Sequence, residues 1–128
     1  MLTVSICSDD MLELAKDLLV DDSESRVRAS VGRSYYALYH EALEVADRLQ
    51  LASLPADRSK ATHERLISRY EQAGKRLAFI GRTLRKQKKL RALADYDIRD
   101  EMRASEAWQH IEISKQLIDD LRRIEPRP

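Results

Sequence analysis

Apolar residues return every three or four positions over most of this chain, and a few polar clusters interrupt that return. Ser8-Asp9-Asp10 offers a helix cap, and Met11, Leu12, Leu14, Ala15, Leu18 and Leu19 follow at helical spacing, which predicts a first helix from about residue 9 to 20. Asp21-Asp22-Ser23 then supplies a break and a new cap. Beyond it Val27, Val31, Tyr35, Leu38, Ala42, Val45 and Leu49 carry one stripe along a long second helix. Its interior Gly32 costs about 1 kcal/mol relative to alanine, which predicts close helix packing at that point. Residues 51 to 61 read as a loop, followed by a third helix from about 62 to 72 with Leu66, Ile67 and Tyr70 inward, and Gly74 suits a helix end. A fourth helix carries Leu77, Ile80, Leu84, Leu90 and Leu93 and exits at Ala94-Asp95-Tyr96-Asp97. A fifth, from about 100 to 124, has Met102, Trp108, Ile111, Ile113, Leu117, Ile118 and Leu121 as its buried side. No stretch alternates like a strand, and there is no repeat or linker. The pattern predicts an all-α fold, an antiparallel bundle of four to five helices, with residues 1–128 as one domain and a flexible tail from about residue 125.

Composition supports this and adds one asymmetry. A chain of 128 residues makes one ordinary domain; glycine and proline are scarce at three each, and Pro126 and Pro128 sit in the tail. The net charge of +1 predicts neither a nucleic-acid nor a membrane partner, but its distribution is uneven. Asp9, Asp10, Glu13, Asp17, Asp21, Asp22 and Glu24 face the single base Lys16, whereas Lys75, Arg76, Arg82, Arg85, Lys86, Lys88, Lys89 and Arg91 stand between Ala73 and Ala94 with no acid at all. The lone Cys7 excludes an internal disulfide and fits a reducing cytosol; a buried, inert thiol is expected. No apolar stretch approaches the ~20 residues that cross a bilayer, and the acidic start is unlike a signal peptide, so the expectation is a cytoplasmic protein with no membrane partner.

The candidate chemistry lies on the second helix. Arg33 and His40 are seven positions apart, almost two full turns, and share one face. A guanidinium holds phosphate through a planar fork of donors, and an imidazole moves protons near neutral pH, so the pair points to phosphodiester chemistry. The plainer alternative is an arginine and a histidine that are solvated or paired with carboxylates. Tyr35, Tyr36 and Tyr39 lie between them and span different faces, so at least one is expected in the core. Paired cysteines and histidines at i, i+4 are absent, and the expectation is chemistry with neither metal nor cofactor. Trp108 and His110 read as packing or surface residues.

Three segments carry a family resemblance. Gly32-Arg33-Ser34-Tyr35-Tyr36-Ala37-Leu38-Tyr39-His40-Glu41-Ala42 resembles the arginine-x-tyrosine-tyrosine-alanine-x-x-histidine signature of small stand-alone HEPN proteins. Ala61-Thr62-His63-Glu64-Arg65-Leu66-Ile67 resembles their threonine-histidine segment, and Arg91-Ala92-Leu93-Ala94-Asp95-Tyr96-Asp97 their closing arginine-x-x-alanine-aspartate-tyrosine-aspartate signature. The three occur in the family's order and, with the flanking helices, cover most of the chain.

The resemblance implies a helical bundle that commonly pairs as a homodimer, in a family rich in metal-independent endoribonucleases of toxin, defence and RNA-processing systems. In those members the arginine and histidine of each subunit meet across the dimer cleft, and toxins are often neutralised by a minimal nucleotidyltransferase. It implies Arg33 and His40 as catalytic residues, with Tyr36, Tyr39, His63, Asp95 and Tyr96 in support. Asp95 and Tyr96 read more plainly as structural, with Asp95 pairing Arg33 or Arg91 across the bundle. The basic residues Arg82, Arg85, Lys86, Lys88, Lys89 and Arg91 are candidates to track an RNA backbone, a solvated face or a dock for an acidic partner being the alternatives. Two departures stand out: Ser34 follows the arginine where active members usually have asparagine, aspartate or histidine, and the motif lies on an early helix rather than a late one. Two readings follow: a metal-independent endoribonuclease leaving 2′,3′-cyclic phosphate ends, or a noncatalytic module that binds nucleotide or positions a nucleotidyltransferase. The partner of Arg33 discriminates them.

Overall fold

The computed structural model describes residues 6–124 (at residue 58, the backbone alone) and is helical throughout, with no strand among the described residues; the expected flexible tail lies outside them. Five α-helices follow in order: α1 (Ser8–Asp17), α2 (Glu24–Arg48), α3 (Thr62–Glu71), α4 (Lys75–Tyr96) and α5 (Ala104–Arg122). Single 3-10 segments, Leu18–Val20 and Pro55–Ser59, extend α1 and interrupt the long loop.

Local chemistry sets these limits. The Asp10 carboxylate reaches back to the Cys7 N–H at 2.9 Å and caps α1, a task expected of the Ser8 cluster; Ser8 instead donates its hydroxyl to the Ala37 carbonyl of α2 at 3.2 Å. α2 ends where Gln50 turns left-handed (φ 55°), so the Leu51 N–H reaches the Ala46 carbonyl at 3.0 Å. Gly74, at φ 104°, adopts a backbone open mainly to glycine and turns the chain from α3 into α4. The fifth helix starts at Ala104, later than expected, because Met102 is a buried plug on the link before it and Glu106 accepts from the Arg103 N–H.

α2 is the central helix. Ser30 and Ser8 bond to Ala15 and Ala37, so α1 runs antiparallel to α2; Tyr35 meets His63 and Tyr70 meets Ala42, so α3 runs parallel to it. α4 is antiparallel to both, joined by Arg28 to Leu93 on one side and by Arg85 to Glu71 and Lys88 to Glu64 on the other. α5 returns parallel to α2, with Glu24 beside Met102, Ser34 beside His110 and Glu41 beside Arg122. Consecutive helices are therefore antiparallel except α2 and α3, which run parallel because the loop after α2 leads back along the molecule. No helix among the described residues is long and apolar enough to cross a membrane.

The core has two clusters. The larger joins Tyr35, Leu38, Val45, Leu66, Ile67, Tyr70, Leu84, Ile118 and Leu121; the smaller joins Ala15, Val27, Val31, Ala94, Met102 and Ile111. Some expected core positions face outward. Trp108 is 48% exposed, and Ile113 and Leu93 are also exposed, because the buried arc of α5 runs through Ala107, His110, Ile111, Ser114, Leu117, Ile118 and Leu121. Cys7 is exposed rather than buried, since it precedes the first helical turn.

The glycines also exchange roles. A Cβ on Gly32 would meet only Asp95 Oδ1 at 3.9 Å, an ordinary contact, whereas one on Gly81 would stand 2.7 Å from Glu71 Cγ and 3.1 Å from the Glu71 backbone nitrogen. The close helix crossing is α3 on α4. Gly32→Ala is therefore expected to stabilise the protein by up to about 1 kcal/mol, and Gly81→Ala to destabilise it by about 1 kcal/mol, overpacking outweighing the gain in helix propensity. Urea midpoints of the two variants read both signs.

Candidate functional site

α2 divides the motif between two sides. Tyr35, Ala37 and Leu38 point into the core, while Arg33, Tyr36 and His40 stand exposed in one stripe. The Arg33 guanidinium lies over the Tyr36 ring at 5.4 Å, and the His40 imidazole meets the same ring edge-on at 4.4 Å. Tyr36 thus holds the arginine and histidine on either side of itself.

The row continues across to α3. His40 and Tyr39 are 5.4 Å apart, nearly perpendicular, and Tyr39 lies 4.3 Å from the His63 ring. The Nδ1 of His63 is 2.9 Å from the Tyr35 hydroxyl, so a buried tyrosine orients the second histidine. Burial, followed by the positive charges of Arg91 and Lys88, holds His63 below the usual histidine range, so it is neutral at neutral pH. Burial likewise pushes the Tyr35 and Tyr39 hydroxyls up, which keeps both neutral.

Arg33 makes no ion pair and no side-chain hydrogen bond among the described residues. Asp95, expected to pair Arg33 or Arg91 across the bundle, instead pairs Arg91 one turn away within α4 at 2.8 Å, and it lies against Gly32. The three motif segments thus converge: α2 supplies Arg33, Tyr36, Tyr39 and His40, α3 supplies His63, and the end of α4 supplies Arg91 and Asp95. Tyr96 does not join them. It is 75% exposed on another side of α4, its ring 6.0 Å from the Arg91 guanidinium, rather than a packed structural residue.

Beside His40 a groove of about 740 Å³ opens between the start of α1 and α2, lined by Ile6, Cys7, Met11, Tyr36, Leu43 and Glu44 among others. Its walls are mostly apolar. Glu41 on its edge is engaged by Arg122 at 2.9 Å and Asp47 by Arg69 at 2.9 Å, while Glu44 makes that end unfavourable for phosphate.

The basic run of α4 splits in two. Arg85 bridges Glu64 at 3.0 Å and Glu71 at 2.8 Å, Lys88 pairs Glu64 at 2.6 Å, and Arg91 pairs Asp95, so these three candidate RNA contacts are already partnered inside the fold. The hydrogen bond from Lys88, with that from Arg85, holds Glu64 below the usual carboxylate range. Arg82, Lys86 and Lys89 point away from α3 and remain exposed.

Ser34, the departure from the family signature, is fully buried and bonds to His110 Nδ1 at 2.5 Å. It belongs to the core and not to the exposed stripe. Among the described residues no three His, Cys, Asp or Glu side chains gather as metal ligands. No family model matches the chain, and neither a curated protein nor a solved structure matches it.

Proposed function

We propose that this protein is a HEPN-type, metal-independent endoribonuclease that works as a homodimer, the toxin half of a toxin–antitoxin or defence pair restrained by a nucleotidyltransferase antitoxin. The observation that carries the reading is the state of Arg33: it is exposed, free of any carboxylate among the described residues, and stacked with His40 about Tyr36, while Asp95 is occupied by Arg91. A guanidinium locked to Asp95 would have had no fork to offer a phosphate.

The chemistry follows from the row of rings. With Nδ1–H of His63 donating to the Tyr35 oxygen, its Nε2 presents a lone pair and takes the proton of a ribose 2′-hydroxyl. The 2′-oxygen attacks phosphorus, Arg33 neutralises the charge that grows on the nonbridging oxygens, and His40, as general acid, gives a proton to the departing 5′-oxygen. The P–O5′ bond breaks, leaving a 2′,3′-cyclic phosphate and a 5′-hydroxyl. One subunit holds both histidines; the homodimer doubles the site and covers the exposed stripe of α2. The apolar groove beside Tyr36 and His40 offers a seat for a base, away from the phosphate.

The test is incubation of the protein and its variants with mixed RNA in EDTA, with mapping of fragment ends. Cyclic-phosphate ends are expected from the native protein despite the chelator, with DNA uncut. Arg33→Ala and His40→Ala should each lower the rate about 100-fold or more. Absence of cleavage by folded, dimeric protein sinks the reading.

One observation favours the second reading, a noncatalytic module that binds nucleotide or positions a nucleotidyltransferase. Glu44 shares the groove with His40, has no ion pair among the described residues and suits a basic partner surface better than a polyanion. Unchanged RNA together with capture of such a partner that Glu44→Lys abolishes would establish it.

A further inference from the structure

At about 100° per residue, Lys75, Phe79, Arg82, Lys86, Lys89 and Tyr96 fall within a strip about 100° wide on α4, turned away from α2 and α3. All six are exposed, Phe79 by 58% and Tyr96 by 75%. The strip has no acid, and none of its four cations is ion-paired among the described residues. The acids that α3 brings to α4, Glu64 and Glu71, spend their charge on Arg85, at the edge of the strip, and on Lys88 beyond it. A row of unpaired cations along about 21 Å of helix is a phosphate-tracking surface, and it carries an exposed phenylalanine within it and an exposed tyrosine beyond its end.

The aromatics select the ligand. An acidic helix, such as α1 of a second copy, would satisfy the cations but leave both rings without a use. Unpaired bases stack on aromatic rings, whereas the bases of a duplex hide their faces from them. The Arg82 guanidinium lies 5.9 Å from the Phe79 ring, leaving the ring's other face open. At the far end a shallow depression of about 340 Å³, lined by Lys89, Leu93, Tyr96, Asp97 and Arg99, places an apolar seat next to the unpaired Lys89, while Arg99 lies 3.9 Å from the Asp97 carboxylate.

We infer that the outer face of α4 is a binding track for single-stranded RNA, with Phe79 and Tyr96 stacking on bases near its two ends and Arg82, Lys86 and Lys89 holding the phosphates between them. The inference rests on the ribonuclease reading only in choosing RNA over DNA. Arg91 and Asp95 leave α4 on another side than Arg82, Lys86 and Lys89, and the Arg91 guanidinium lies 6.0 Å from the Tyr96 ring, so the track ends beside the cleavage site and raises the local concentration of the strand there.

A labelled oligouridylate with 2′-O-methyl riboses, which cannot be cleaved, separates binding from catalysis in a fluorescence anisotropy titration across salt concentrations. Arg82→Glu/Lys86→Glu/Lys89→Glu is expected to lose at least tenfold in affinity and to reduce the slope of log affinity against log salt by about 2. Phe79→Ala/Tyr96→Ala is expected to lose about tenfold with the salt slope unchanged, and duplex RNA to bind the native protein more weakly than single strands. All substituted side chains are exposed, and unchanged thermal melts verify the fold. Native affinity in the charge-reversed variant overturns the track, as does equal affinity for duplex and single strand. Self-association abolished by the same charge reversal, without RNA binding, assigns the face to a second copy and overturns it too. Cleavage that persists in a protein lacking the track refutes this inference alone; a bound but uncut native RNA refutes the ribonuclease reading alone.

Discussion

Replacing Arg28 with alanine is expected to remove about 3–5 kcal/mol of stability, a large share of the 5–15 kcal/mol that holds an ordinary domain together. The side chain is one-tenth exposed, and its guanidinium gathers the end of α4 and the link that follows. It donates to the carbonyls of Leu93 and Ala94 at 3.0 Å, Asp97 at 2.8 Å and Asp100 at 2.5 Å, while its Nε bonds to Glu24 at 3.2 Å. The last carbonyls of a helix have no partner within it, so an arginine from α2 serves as the cap that the α4 sequence lacks. Truncation would leave several carbonyls and the Glu24 carboxylate poorly paired, each a cost rather than a mere lost gain. Arg28→Lys keeps the charge but not the fork and should recover only part of the loss. Urea denaturation measures the magnitude, and amide exchange in the α4–α5 link locates it; a loss under about 1 kcal/mol would show that water replaces the clamp at little cost.

The clamp also sets the candidate site. Arg28 fixes the last turn of α4 against the first turns of α2, and that last turn carries Arg91 and Asp95 to within reach of His63 and Gly32. A loosened α4 terminus would shift Asp95, which lies against Gly32 next to Arg33 in the chain. In the proposed mechanism Arg28→Ala therefore lowers cleavage beyond its effect on stability, although Arg28 touches no substrate.

Much of the scaffold was legible because period-three-to-four apolar spacing is a local property. The five helices, the inward Tyr35, Leu38, Val45, Leu66, Ile67 and Tyr70, and the exit of α4 near Asp97 all follow from it. Less local facts were not. Periodicity locates a stripe but not its edges, so it predicts Trp108 and Leu93 in the core from positions that are half outside it. The basic run looked uniform because the acids that divide it come from α3, and Arg28 looked ordinary because its carbonyl partners are more than sixty residues away, at Leu93 and beyond. The site was half legible for the same reason. Arg33 and His40 share a face by spacing alone, and the i, i+4 spacing of Arg91 and Asp95 makes their pair equally local, but the alignment of His63 by Tyr35 is settled by packing.

Acid is expected to unfold this protein through its buried histidine. His110 is 1% exposed, and burial brings it down to about 4, against 6.5 for a free histidine. Its Nε2 lies 3.1 Å from the Gln87 carbonyl, which only accepts, so that nitrogen carries the proton and Nδ1 accepts from the Ser34 hydroxyl at 2.5 Å. Because the folded value is depressed, the neutral form favours folding; this contribution is complete above the unfolded value of about 6.5 and is lost as pH falls toward 4. Between pH 7 and 5, where most carboxylates stay ionised, the expected loss is about 2 kcal/mol. Protonation does not by itself orphan a donor, since Nδ1–H can bond to Ser34 while Ser34 turns its hydrogen to the Val31 carbonyl, 3.2 Å away; the cost is desolvation of the charge. Ser34→Ala/His110→Leu removes the titrating group with its partner. The difference in stability between pH 7 and 5 should then shrink by about 2 kcal/mol, leaving the smaller contribution of His63, whose shift has the same sign. If the double variant keeps the full pH dependence, the acid sensitivity belongs to the surface carboxylates, and Ser34 and His110 serve the core only as a packed, neutral pair.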